Sequence, residues 1–176
     1  MTAETAIQKL GENLNDIIQQ ARSCSYENLN KKDDGKWSNH EILEHIYLTE
    51  KSIHRLLLRR PDKQNQTAEI FGNEKLKRML VDQRAYKITA PDYLIPTGKY
   101  SNIEDFVDEF LLERNALTED IRAGRIIVDS GIHNHPVLGE MTVPDWIHFL
   151  IHHSVRHLEQ IKDNFVHDRQ QATLKE

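Results

Sequence analysis

The last third of the sequence contains two overlapping H-x3-H pairs, His148 with His152 and His153 with His157. On an α-helix, residues four apart lie about 40° apart around the axis and about 6 Å along it, so two imidazoles can be aimed at one point. Two such nitrogens are half of a divalent-metal site. A third ligand completes a protein site, and a catalytic one keeps further positions open for water or substrate. Three neutral imidazoles leave the double charge of the ion uncompensated, which makes a bound water or thiol lose its proton more easily than in solution. The chain carries ten histidines but one cysteine, Cys24, so a cysteine-based zinc site and an intrachain disulfide are both excluded. Cys24 itself reads as a small residue near a helix end.

Spacing alone does not choose between the pairs. Turning the helix at about 100° per residue, with Ile147, Leu150, Ile151, Ser154, Leu158, Ile161 and Phe165 as the buried stripe, puts both pairs on flanks of that stripe. His157 falls about 80° and His153 about 120° from its centre, with Trp146 and Leu150 alongside; His148 and His152 fall about 100° and 140° away on the other flank, next to Arg156. The narrow margin favours His153 and His157, and a guanidinium close to His152 disfavours a cation there. For the third ligand the segment 38–59 offers His40, His45 and His54. His45, three residues after Ile42 and four before Thr49, sits at the edge of the apolar stripe, whereas His40 is expected in an exposed first turn. His40, His54, His148 and His152 are expected to face outward and to be dispensable for metal.

The elements that must carry these residues are helices. Ile7, Leu10, Leu14, Ile17, Ile18 and Ala21 recur at three and four, predicting a helix over 6–22. Ser38 with Glu41 three residues on forms a capping-box signature, Trp37 is placed to staple against Ile42, and Arg60-Pro61 ends that helix near Arg59. Ser101 and Glu104 repeat the capping spacing ahead of a helix to Arg122, with Gly124 as its stop. Thr142 and Pro144 open the last helix, expected over 142–165. A short helix through Leu76, Met79, Leu80 and Tyr86 is the only element expected between Asp62 and Pro96. No alternating strand is expected; Arg125-Ile126-Ile127-Val128 is the one run that could pair. The fold class expected is all-α, an up-and-down four-helix bundle, in a single domain over residues 1–168 with a polar tail over 169–176.

At 38% hydrophobic and 29% charged residues the composition is that of a folded domain built from amphipathic helices. A formal net charge of −5 with scattered cations gives no general attraction for phosphate backbones, so nucleic acid is not an expected partner. No stretch approaches the roughly 20 apolar residues of a membrane span, and the first residues lack the basic-then-apolar pattern of a secretion signal. Cytoplasmic location and no membrane partner are the expectations.

The stretch Trp37-Ser38-Asn39-His40-Glu41-Ile42-Leu43-Glu44-His45-Ile46 resembles the first signature of the DinB-like superfamily, and His153-Ser154-Val155-Arg156-His157-Leu158-Glu159-Gln160-Ile161 resembles its second. The segment His135-Pro136-Val137-Leu138-Gly139-Glu140-Met141-Thr142 is similar to the stretch that often precedes the last helix in these proteins. The resemblance covers these segments and leaves 62–96 unplaced. It implies an up-and-down four-helix bundle holding one divalent ion (zinc, nickel, iron or manganese) through His45, His153 and His157, and a homodimer as a common assembly. Relatives implied by it include thiol transferases, a thiol-dependent isomerase and proteins labelled metal-dependent hydrolases, and fold does not decide among them. The leading expectation is therefore a metal-dependent enzyme that activates a low-molecular-weight thiol for transfer to a small electrophile. The alternatives are a hydrolase with a metal-bound water, for which Glu41, Glu44 or Glu140 would be the base, and a non-catalytic module braced by its metal.

Overall fold

The computed structural model describes residues 1–24, 29–30, 32, 35–84 and 89–173, with side chains as far as residue 164. In chain order the elements are α1 (Ala3–Arg22), α2 (Asn39–Leu57), β1 (Lys63–Gln64), α3 (Gly72–Lys77), α4 (Ile103–Arg122), β2 (Gly131–His135), β3 (Gly139–Thr142) and α5 (Val143–Thr173). Each long helix starts where a side chain meets its unpaired N–H groups. Thr2 accepts from the Thr5 amide ahead of α1. Ser38 and Glu41 make the expected reciprocal capping box on α2. On α4 the cap is Asn102, whose side chain accepts from the Asp105 amide, and not Ser101. The amide oxygen of Asn102 serves the same N3 position one residue later, which shifts the helix start accordingly. Gly124, at φ 72°, follows the end of α4 as its spacing predicted. The last helix runs to Thr173, beyond the expected 165. Tyr86, the Phe165 side chain and residues 174–176 of the expected tail lie outside the described residues.

Both α1 and α2 pack against α4 and α5, which places α1 and α2 on opposite corners of the bundle. The apolar core has two halves. One gathers Leu10, Ile53, Leu57, Leu117, Ile121, Trp146, Ile147 and Leu150, and the other Ile17, Ile42, Leu43, Ile46, Phe106, Phe110, Leu158 and Ile161. A buried Leu, Ile or Phe contributes about 1.5–3 kcal/mol, so these two clusters dominate the stability of the bundle. Between them lies a polar layer with one residue from each long helix: Asn13, Glu50, Arg114 and Ser154, all buried. Arg114 donates to Glu50 through Nε and through Nη2 (2.7 Å), and to Asn13 Oδ1 (3.2 Å); Asn13 Nδ2 donates to Ser154 Oγ (2.9 Å).

Two expectations are corrected away from the long helices. A small three-stranded antiparallel sheet is present, in the order β1-β2-β3. Its registers pair Lys63 with Ile132, and His133 with Met141. The run 125–128 is not part of it. Strands of two, four and five residues are too short for alternation to show in sequence, and the Pro136–Gly139 turn was their better signal. The short middle helix is present as Gly72–Lys77, continued by a wide π-type turn, Arg78–Asp82. It packs on α5. Among the described residues no helix is long and apolar enough to cross a membrane.

Candidate metal centre

His45 from α2 and His153 and His157 from α5 converge. One ring nitrogen of each lies within 4.8 Å of those of the other two. The ring centroids are 5.1 Å apart for His45–His153, 4.8 Å for His45–His157 and 4.5 Å for His153–His157. His45 and His157 are buried and His153 half-buried, so the cluster has an open side at His153. Two nitrogens on one ion at about 2.1 Å each are at most about 4.2 Å apart, so small ring rotations would close the set.

The hydrogen bonds fix which nitrogen of each ring is available. The Leu94 carbonyl can only accept, so the His45 Nδ1 at 2.8 Å from it carries a proton and the lone pair is on Nε2. His157 Nδ1 likewise donates to Gln160 Oε1 at 3.0 Å. Such partners orient ring ligands in metal sites. Burial holds all three imidazoles in the neutral form that ligation requires. It lowers the His45 pKa, with the Leu94 bond in partial opposition, and brings His157 down to about 3, with His45 adding to the shift. His153 lies well below the usual range through burial and then its neighbours His157, His45 and Arg156.

The loop that holds His45 is itself anchored to α2. Buried Glu44 accepts from the amides of Thr97 (3.0 Å), Gly98 (2.8 Å) and Lys99 (2.9 Å) and from the Thr97 hydroxyl (2.9 Å). Those bonds outweigh its desolvation in direction and keep its carboxyl ionised, below its ordinary pKa. Trp37 packs on the His45 ring at 4.8 Å, and Phe149 stacks on His153 at 5.4 Å. Leu94 and the 97–99 turn fall in a stretch marked in sequence by Pro91, Pro96 and Gly98, which signal a connection and not its partners.

The four histidines expected to face outward are instead buried, at 3% exposure for His40, 6% for His54, 4% for His148 and 8% for His152. Their surroundings explain why none joins the cluster. His40 Nδ1 is bonded to Asn30 Oδ1 (3.0 Å). His54 lies between Glu113 and Asp120, 2.7 Å from each. The segment 69–74, unreadable in sequence, covers the other flank of α5: Asn73 Oδ1 meets His152 Nε2 at 2.9 Å and Glu69 lies 3.6 Å from His148. The three candidate bases are all engaged elsewhere. Glu41 is the capping partner of Ser38 and pairs with Lys32, Glu44 holds the 97–99 turn, and Glu140 pairs with Lys63.

A sequence model of the DinB superfamily matches residues 9–161. An uncharacterized protein of Bacillus subtilis (strain 168), YuaE, is 29% identical over 143 residues, covering 81% of this chain and 86% of its own. A solved structure described as TT2238, a four-helix bundle protein, superposes with a TM-score of 0.58 at 17% identity, covering 92% of this chain and 99% of that one. That likeness bears on the fold alone.

Proposed function

This chain belongs to the DinB superfamily, and from that premise we propose that His45, His153 and His157 hold one divalent metal ion and that the site activates a low-molecular-weight thiol for transfer to a small electrophile. The observation that carries the reading is the convergence of three neutral imidazoles, with Nδ1 of His45 and of His157 already bonded and Nε2 left for a ligand. An ion bound there would lower the pKa of a thiol or water that reaches it. Among the described residues no fourth histidine, cysteine or carboxylate joins the cluster, which leaves positions for such a ligand and disfavours a purely bracing role.

Transfer is favoured over hydrolysis by the engagement of Glu41, Glu44 and Glu140. Hydrolysis calls for a base to manage the proton of water, whereas a thiol that has lost its proton to solvent needs none. In the transfer the sulfur forms a bond to carbon and the leaving group departs with the bonding pair. The chain's residues orient and exclude water: Leu94 and Gln160 aim the His45 and His157 imidazoles, and Trp37 and Phe149 pack on the His45 and His153 rings. The test is elemental analysis of the purified protein followed by a turnover screen of thiols with alkylating and epoxide electrophiles. Stoichiometric metal with turnover that is lost on chelation is the expected result. Metal with hydrolysis of esters or amides and no thiol dependence would favour the hydrolase instead.

A further inference from the structure

We propose that the mouth of this site selects substrates with a flat, apolar body, held between Trp37 on one side and a rim of Tyr93, Ile95, His135 and Val137. The inference rests on the reading of the histidine cluster as the reacting centre and adds the class of substrate. On the His45 side, half-buried Trp37 lies 4.8 Å from the ligand ring. The Leu94 carbonyl that orients His45 is flanked in sequence by Tyr93 and Ile95, which are 63% and 44% exposed. On the His153 side, Phe149 stacks on the ligand and His135 packs on Phe149 at 5.0 Å. Val137, 65% exposed, follows in the same turn, and its amide donates to His135 Nδ1 at 3.1 Å.

Single exposed apolar side chains are ordinary on any protein surface. Here three of the seven large exposed ones among the described residues sit on the two short segments that touch the ligand shell. Charge points the same way. His135 Nδ1 accepts from two backbone amides, those of Val137 and Leu138, so it carries no proton and the ring presents a flat, neutral surface. A flat apolar group would gain ring contacts on both sides.

Two measurements test this. In the first, 2-naphthalenemethanol, which does not react, is titrated into the protein as purified and after chelation, with shifts followed in a 1H–15N spectrum. Saturable shifts at the Trp37 indole and the amides of 93–95 and 135–138 are expected in both states, weakened about fivefold or more in Tyr93→Ser/Val137→Ser. Those positions are exposed, so the double variant retains its fold, which circular dichroism verifies. In the second, thiol alkylation by 2-(bromomethyl)naphthalene is compared with that by allyl bromide, each normalised to its uncatalysed rate. A C–S bond forms as C–Br breaks, bromide leaves with the electron pair, and the thiol proton goes to buffer. A preference of about tenfold or more for the naphthyl compound is expected, and it should shrink in the double variant. Naphthyl binding without turnover of either bromide would sustain the rim and overturn the transfer reading. Equal normalised rates with no localised shifts would overturn the rim and leave transfer standing.

Discussion

His157 contributes one of three donors and also contacts both of the others, so its removal leaves a pair that no longer surrounds a point. We expect His157→Ala to abolish stoichiometric metal and any thiol-dependent turnover while far-ultraviolet circular dichroism stays close to wild type, because the apolar clusters do not depend on the ligand. His152→Ala should keep its metal, since that ring is bonded to Asn73 on the far flank of α5. Elemental analysis of the two variants checks both; metal retained in the first or lost in the second would move the site. The three cluster residues were legible in sequence through the H-x3-H spacing and the apolar stripe, reinforced by the family resemblance. The burial of the remaining histidines was not. Helical rotation says which way a residue points, but not whether a later segment, here 69–74, folds over it.

At the scale of elements, periodicity read the four long helices to within three residues, apart from the C-terminal end of α5, which runs eight residues past the expected 165, because each shows a stripe to a core it cannot leave exposed. What it missed are pieces whose order comes from contacts far along the chain: the two-residue β1, which pairs with β2 some 70 residues on, and the 94–99 loop, which is held by Glu44 and in turn holds His45. The loop makes a testable link from element to site. Glu44→Ala removes four acceptor bonds and frees the loop, and since partners that orient a metal ligand are commonly worth 10–100-fold in affinity, a loss of about tenfold is expected in metal titrations. The polar layer was equally unreadable, since Asn13, Glu50 and Arg114 look like ordinary surface residues in sequence. Removing one side of that buried pair strands the other charge. Arg114→Met should cost about 3–5 kcal/mol in denaturant unfolding, and Glu50→Leu/Arg114→Met should recover much of the loss. A single variant as stable as wild type would mean that the layer is not a closed network.

For the whole molecule, pH acts through two opposed sets of histidines. His40, His45, His133, His135, His148, His152, His153 and His157 all have lowered pKa values, with burial the first cause in each; His152 is at about 4 and His157 at about 3. Among the histidines of the described residues, His54 alone is raised, chiefly by its bond to Glu113 and then by Asp120, with burial opposing. For the lowered set the unfolded chain takes up protons first, near pH 6.5, so stability is intact above that value and lost as pH falls toward 4 and 3. For His54 the sign reverses: its contribution is full below about pH 6.5 and lost as pH rises through its raised folded value. The lowered set is larger, so it wins on the acid side. Metal-free protein should therefore lose stability on the order of 3 kcal/mol between pH 7 and 4.5, seen as a fall in Tm on the order of 10 °C. With metal present the fall should be steeper, because binding to the folded state adds stability at neutral pH that protons remove by competing for the same nitrogens. His54→Gln should be destabilised most at low pH, and its deficit should narrow as pH rises, whereas replacing a member of the lowered set by an apolar residue should flatten the acid limb. A Tm that stays level from pH 7.5 to 4.5 in the metal-free protein would show that the buried imidazoles take up protons without opening the bundle.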